Sequence, residues 1–257
     1  MEKIIVYTHS DCLAKDNGPN HPERKERLET VLESVKELDS LDIDIREAPL
    51  AAPETINLVH PQSHLNTIFS MIPSTGLVGV EKEPYADTFL CEHSKDAILR
   101  SCGAGIAAAD DLINSNEKRI FCAVRPPGHH AETIRVNGFC FVNNVAVSAR
   151  YLQNQYQLGK VAIIDFDVHH GNGTQEIFYR DNSVAYGSIH EYPLFPGTGS
   201  EKEAGVGNIF NAPIQSGTSS QEFLNRFEGK ILENIDKFKP EVILLSAGFD
   251  AHKRAPL

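Results

Sequence analysis

Four short apolar runs, separated by helix-length segments, most constrain what this chain can fold into. The runs occupy residues 119–124, 160–165, 183–188 and 241–246. Between some of them, the spacing of apolar residues predicts helices over 143–155 and 221–238. Strands that alternate with helices are typical of an α/β fold, in which a mostly parallel sheet is covered by helices on both faces.

The same reasoning extends to the first half of the chain. It predicts a buried strand over 3–7 and helices over 22–38 and 94–113. The 257 residues contain no internal repeat, low-complexity tract or Gly/Ser linker. We therefore expect residues 1–257 to form a single domain.

Histidine or aspartate follows each of the four runs. The segments after the runs begin Arg125-Pro126-Pro127-Gly128-His129-His130, Phe166-Asp167-Val168-His169-His170-Gly171-Asn172-Gly173, Ile189-His190 and Ala247-Gly248-Phe249-Asp250. In open α/β sheets the ligand site lies beyond the carboxyl ends of the strands. Because His and Asp bind metals and move protons, their position predicts a catalytic site at this edge.

Asp165-x-Asp167-x-His169 has the pattern of a metal site. Alternate residues of an extended segment point the same way, so these side chains could reach one point. Asp167 and His169, with Asp250 from a neighbouring strand, would make a three-ligand site with an open position, which is typical of catalytic zinc. The alternative is that one Asp caps a helix and His169 is a buried, hydrogen-bonded histidine. The complete pattern favours the metal.

His129-His130 is the candidate proton acceptor. Two carboxylates cancel most of a dication's charge, so such a metal needs a separate base for water. The turn Pro126-Pro127-Gly128 would hold the pair rigidly. Adjacent imidazoles differ in pKa if their partners differ, and Asp165 and Asn172 are plausible partners of the two kinds. The alternative is a pair on a surface loop.

Two glycine turns carry aromatic rings that could wall an apolar slot leading to the metal. They are Gly138-Phe139-Cys140-Phe141 and Phe195-Pro196-Gly197. Ordinary core packing is the alternative for these rings. No dedicated base accompanies Cys140, which argues against a nucleophilic cysteine.

Taken together, these motifs resemble the zinc-dependent histone deacetylase family, above all its class II and bacterial amidohydrolase members, including acetylpolyamine amidohydrolases. The resemblance runs from about residue 7 to the last residue. It rests on the segments His-Pro-Glu-Arg (21–24), Arg-Pro-Pro-Gly-His-His-Ala (125–131), Asn-Gly-Phe-Cys-Phe-Val-Asn-Asn (137–144), Asp-Phe-Asp-Val-His-His-Gly-Asn-Gly-Thr (165–174), Phe-Pro-Gly-Thr-Gly (195–199) and Ser-Ala-Gly-Phe-Asp-Ala (246–251).

The resemblance implies hydrolysis of an N-acyl amide, either acetyl-lysine or acetylpolyamine. It makes Asp167, His169 and Asp250 the zinc ligands. His130 would be the general base on the zinc-bound water. Asp165 would be the partner of His129. At Asn172 some members have Asp and class II members have Asn, which implies a different protonation balance for His130.

The resemblance also implies an arginase/deacetylase-like three-layer sandwich. In the family, a structural potassium ion is bound by Asp165, Asp167, His169, Ser188 and the backbone carbonyl of Ile189. Further residues resemble the lining of two cavities. Gly138, Phe139 and Phe195 would line the acyl-lysine tunnel with Leu257 at its rim, and Arg27 would line the internal cavity.

One departure opens an alternative function. Active members bring a Tyr, or a His in some class II members, to the carbonyl oxygen from a Gly-rich segment downstream of the third ligand. Here the chain stops at Leu257, so we expect a catalytic domain truncated at its C-terminus. The alternative is a zinc-loaded, catalytically weak acyl-lysine-binding protein. A binuclear manganese ureohydrolase is a third reading, against which Asn172 and the paired histidines argue.

Composition restricts the partners. The formal charge of −11 disfavours general nucleic-acid binding, because phosphate contacts need a cationic surface. Five cysteines without a CxxC pair favour a reduced, intracellular protein, and we expect it in the cytoplasm. No apolar run approaches the length of a membrane span. The sequence leaves an oligomer open.

Overall fold

A computed structural model describes residues 3–80 and 87–255 of the chain. The chain divides into two compact units, Met1–Tyr151 and Leu152–Leu257. Whether residues 1–257 act as one catalytic domain stays a prediction.

The first unit contains a parallel three-stranded sheet and a small antiparallel pair. The strands are β1 (Lys3–Thr8), β2 (Asp42–Glu47), β3 (Val78–Gly79), β4 (Phe89–Leu90) and β5 (Ile120–Cys122). The sheet order is β2-β1-β5, and β3 pairs with β4. Ile5, at the centre of β1, lies between Asp44 of β2 and Ile120 of β5. Its burial reflects the β-branched, apolar sequence of β1.

Helices surround these strands. They are α1 (Ser10–Ala14), α2 (Lys25–Lys36), α3 (Pro53–Ile56), α4 (Gln62–Ser70), α5 (Ser94–Asn114) and α6 (Asn144–Tyr156), the last of which contains the boundary between the units. Small residues let α5 pack closely: a Cβ at Gly103 would overlap with the carbonyl of Pro49. Within the described ranges, none of the helices has the length and apolar character to cross a membrane.

A buried apolar cluster joins α3, α4 and α5 to the segment before α6. Its members include Ile56, Leu65, Ile68, Ile98 and Phe141. Each large side chain buried there contributes about 1.5–3 kcal/mol relative to exposure. The cluster therefore anchors a long irregular segment against the helices.

The second unit contains a four-stranded parallel sheet in the order β8-β7-β6-β9. The strands are β6 (Val161–Asp165), β7 (Val184–Glu191), β8 (Ile209–Ile214) and β9 (Val242–Ser246), and the helices are α7 (Asn172–Phe178), α8 (Ser220–Arg226) and α9 (Glu233–Phe238). Every residue of β6 is buried. Asp165, its last residue, pairs with Ser188 of β7 and Ser246 of β9. The carboxyl ends of these three strands therefore share one edge, as predicted. The fourth predicted run, 119–124, instead forms β5 in the sheet of the first unit.

The prediction lacked several short elements, namely β3, β4, α1, α3, α4 and α7, and it differs from the structure at two longer strands and one helix. Strands β2 and β8 were not expected; both lie at sheet edges, where polar residues and Pro213 are tolerated. The predicted helix 221–238 is interrupted by a π-helical segment, Phe227–Leu232, between α8 and α9. The helix then ends where Lys239 adopts a left-handed conformation with φ of 57°.

Candidate metal centre

Asp167, His169 and Asp250 lie together in the second unit. One ligand atom from each falls within 4.8 Å of the others, and all three side chains are half-buried. Nδ1 of His169 lies 3.1 Å from Oδ1 of Asp167 and 3.2 Å from Oδ2 of Asp250. The two carboxylates come from the loops after β6 and β9, so the neighbouring strand ends deliver them.

Local hydrogen bonds, rather than an extended strand, shape the loop after β6. The strand ends at Asp165, and the backbone then bends. The Asp167 carboxylate accepts the backbone N–H of His169 (2.8 Å), and the Asp250 carboxylate accepts that of Val168 (3.0 Å). The carboxylates are thus oriented by backbone donors.

Gly248 makes room for the cluster. A Cβ at this position would overlap with the Asp167 carboxylate. The missing side chain of Gly248 therefore allows the Asp167 carboxylate to pack directly against the backbone at this position.

The charges of the cluster suit a cation. Burial lowers the pKa of His169, but hydrogen bonds to Asp167 and Asp250 outweigh it and raise the pKa to about 9. Two carboxylates thus attract a positive charge at the imidazole nitrogen. Oxygen and nitrogen donors without a thiolate match a catalytic rather than a structural zinc site. The donor set therefore fits zinc.

Asp165 lies outside this cluster. Its side chain is fully buried and accepts a hydrogen bond from the Tyr186 hydroxyl at 3.1 Å. Ser188, its neighbour across the sheet, lies 2.9 Å from Nδ1 of His190, whose Nε2 lies 2.9 Å from the Gly199 carbonyl. Since a carbonyl only accepts, Nε2 of His190 carries the proton and the Ser188 hydroxyl donates to Nδ1.

The tandem histidines lie in the first unit, in the loop after β5. Both are buried, with exposures of 8% for His129 and 5% for His130. Their ring centroids are 4.0 Å apart and the planes are tilted by 46°. Gly138, with φ of 52°, packs so tightly on the His130 ring that a Cβ would overlap with it. The pair is therefore not on a free surface loop.

Phe139 is held from two sides within the same unit. Its ring lies edge-on to His21, with centroids 4.7 Å apart. Its backbone N–H donates to Oγ1 of Thr88 at 2.9 Å. Phe139 is itself at φ of 68°, a conformation that a bulky residue adopts only when its surroundings demand it.

Comparison with known proteins identifies the family. The family model described as "Histone deacetylase domain" matches residues 21–257. This chain belongs to the histone deacetylase family.

Individual relatives support the assignment. The chain is 35% identical to "Histone deacetylase 10, chloroplastic" of rice (Oryza sativa subsp. japonica), over 98% of this chain and 61% of the rice protein. It is 34% identical to the "Probable deacetylase" of Archaeoglobus fulgidus, over 98% of this chain and 70% of that protein. It thus spans about three fifths of the rice protein.

A solved structure shows the fold. The crystal structure of the HDA15 HD domain superposes with a TM-score of 0.91 at 30% identity, covering 100% of this chain and 74% of that one. The α/β, arginase/deacetylase-like fold expected from the sequence is confirmed.

The other predicted site residues of this histone deacetylase family member fall in different places. Asn172 is buried at the start of α7. Phe195 is 42% exposed, and its ring centroid lies 6.3 Å from that of His169. Ile189 is buried in β7. Leu257 lies outside the described residues.

The expectation for Arg27 does not match its position. Arg27 is exposed on α2, because Leu28 and Val35 face the core from the same helix. Among the described residues of this unit, the buried arginine is Arg125, which donates to both Glu23 carboxylate oxygens, with Nη2–Oε2 at 2.9 Å. No role for Arg125 was predicted from the sequence.

Sequence reasoning also missed buried histidines. His170 lies beside His190, with centroids 4.7 Å apart, and contacts Thr198 and Gln175. The sequence feature that could have pointed to His170 is its position directly after His169 in the His-His pair. His60 and His64 are buried in the first unit, in a segment without a recognised motif.

Proposed function

We propose that this protein is a zinc-dependent amidohydrolase that deacetylates acetyl-lysine or acetylpolyamine. The observation that carries the proposal is the convergence of Asp167, His169 and Asp250 in a chain that belongs to the histone deacetylase family. The reaction is hydrolysis: water adds to the amide carbonyl, and a carboxylate and a free amine leave.

Asp167, His169 and Asp250 would hold the zinc. A zinc ion, when bound, supplies a Lewis acid that polarises an amide carbonyl and lowers the pKa of water. The backbone donors to Asp167 and Asp250 keep these carboxylates oriented in advance, which favours affinity.

His130 would be the general base that takes a proton from the attacking water. This role rests on the family resemblance, as do the partnership of Asp165 with His129 and the influence of Asn172. The packing of Gly138 on the His130 ring supports the proposal, because a base must be held in one orientation.

The acyl tunnel and the potassium site are also proposed from the family resemblance. Gly138, Phe139 and Phe195 would line an acyl tunnel, and Asp165, Asp167, His169, Ser188 and the Ile189 carbonyl would bind potassium. The pairing of Asp165 with Ser188 across β6 and β7 supports the potassium site. A cytoplasmic location and the absence of nucleic-acid and membrane partners stay predictions, and an oligomer stays open.

A deacylation assay with defined zinc content tests the proposal. We expect the zinc-loaded protein to release acetate from an acetyl-lysine peptide or from acetylspermidine. Asp250→Asn should lose zinc and activity together, and His130→Ala should keep zinc but lose activity by roughly 10²–10⁴-fold. Asp236→Asn, an exposed carboxylate on α9, is the matched control.

Two results would contradict the proposal. Activity that survives His130→Ala would remove the assigned base. Binding of zinc and acetylated peptide without any turnover would favour the alternative, a catalytically weak acyl-lysine-binding protein.

A further inference from the structure

Two buried histidines of the first unit have no place in the proposed reaction. His60, between α3 and α4, is fully buried, and His64, in the first turn of α4, is 6% exposed. Their rings stack with centroids 4.9 Å apart and an angle of 17°. Burying two imidazole rings is unfavourable in free energy unless the ring nitrogens are hydrogen-bonded. The hydrogen-bond partners of His60 and His64 therefore show which part of the chain the two rings stabilise.

The partners lie in one irregular segment, residues 131–143, which we call the 131–143 loop. Nε2 of His60 accepts the backbone N–H of Asn143 at 2.9 Å, so Nδ1 carries the proton and donates to the Thr133 carbonyl at 3.1 Å. Nε2 of His64 donates to the Phe141 carbonyl at 2.8 Å. One neutral ring therefore ties both ends of the loop, and the second ring holds it near its end.

The Asn143 side chain closes the loop further. Its amide donates to the Ala131 carbonyl at 3.2 Å, and its oxygen accepts the Ala146 N–H at the start of α6. The loop is thus joined end to end directly after His130.

The closed loop carries the turn that contacts His130. Asn137 and Cys140 exchange backbone hydrogen bonds, which brings Gly138 and Phe139 into the left-handed region between them. Gly138 packs on the His130 ring. Movement of the loop would therefore release the His130 ring and the Phe139 side chain together.

We propose that His60 and His64 are positioning residues that hold the 131–143 loop and, through it, the orientation of His130. This inference rests on the proposed function for its kinetic consequence, but not for its structural one. An apolar pair of similar size would fill the same space in the core. Only donors and acceptors at these nitrogens tie the loop carbonyls and the Asn143 N–H.

Hydrogen exchange measured by mass spectrometry tests the structural claim without activity. His60→Leu removes both hydrogen bonds, and we expect exchange in the 131–143 loop to accelerate roughly tenfold or more. Ile68→Val, in the same apolar cluster, is the matched control for a loss of core packing. Unchanged exchange in His60→Leu, or equal acceleration in Ile68→Val, would overturn the proposal.

Conservative variants test the two hydrogen bonds of His60 separately. They also keep the test interpretable if His60→Leu does not fold. His60→Gln keeps an acceptor near the Nε2 position, so it should retain protection at Asn143. His60→Asn keeps a donor near the Nδ1 position, so it should retain only the bond to Thr133. If both variants exchange as fast as His60→Leu, the hydrogen bonds are not what holds the loop, and the proposal is wrong.

Steady-state kinetics on acetyl-lysine peptide then test the link to His130. A displaced base should lower kcat by about tenfold or more while KM changes by less than about threefold, with partial rescue in His60→Gln. A change confined to KM would contradict the link. If the wild-type protein shows no turnover, the proposed function fails, and hydrogen exchange still decides whether the histidines position the loop.

Discussion

At the scale of single residues, glycines decide how closely the chemical groups approach. Gly248 leaves space for the Asp167 carboxylate, and Gly138 leaves space for the His130 ring. Gly248 has no left-handed backbone, so only the missing side chain matters there. A single methyl group is therefore a sharp probe of the metal centre.

Gly248→Ala should weaken zinc binding with little loss of folding. The new Cβ would displace the Asp167 carboxylate, and a misoriented ligand lowers metal affinity by about 10–100-fold. Titration against a chromogenic chelator measures the affinity. Gly229→Ala is the control, because a Cβ there meets open space in a helical backbone. Equal affinities in the two variants would show that Asp167 does not bind the metal.

At the scale of elements, β9 is the edge that stands out in the second unit. The described sheet ends at β9, and its Ile243 and Leu245 side chains are 51% and 60% exposed. An exposed apolar edge strand is prone to pairing with other chains. The sequence of β9 alone could not show this, because a continuous apolar run is equally typical of a central strand.

Leu245→Lys should reduce self-association of this 257-residue chain. A lysine on an edge strand introduces charge where another strand would pair, and the exposed position tolerates it. Sedimentation velocity across a range of concentrations measures the effect. Leu244→Lys, on the half-buried face, should instead lower stability. The idea is wrong if the Leu245→Lys protein associates as strongly as the wild type.

At the scale of the whole molecule, buried neutral histidines set the response to acid. Burial, together with the charge interaction with the neighbouring His64, lowers the pKa of His60 to about 4. Burial also lowers the pKa of His64 and of His190. These groups take up protons more readily in the unfolded chain, whose histidines titrate near pH ~6.5.

The free energy of unfolding should therefore fall as pH is lowered from about 6.5 to 4. In this window the unfolded chain binds more protons, and His60 alone contributes a slope of up to about 1.4 kcal/mol per pH unit. Urea unfolding followed by far-UV circular dichroism measures it, since the chain has no Trp. His60→Gln should reduce the slope. An identical pH dependence in that variant would show that His60 is not buried as a neutral ring.

Much of the fold was predictable because periodicity is a local property. The run at 160–165 and the helix over 94–113 correspond to β6 and α5 within one residue. The edge strand β2, with its alternating Asp42-Ile43-Asp44-Ile45, carried a period-2 signal that its polar residues weakened. The π-helical interruption before α9 carried no such signal.

The sequence by itself determined which residue types stand at the strand ends, and so the candidate ligand set Asp167, His169 and Asp250. Parallel strands place their carboxyl ends at one edge, so order along the chain was sufficient. Only the tertiary structure decided that Asp165 turns away to Tyr186, that Arg27 is exposed and Arg125 buried, and that His60 and His64 hold a loop more than 70 residues away. Such contacts depend on packing between segments that are distant in the sequence. Hydrophobic periodicity reports only local structure, so it cannot predict them.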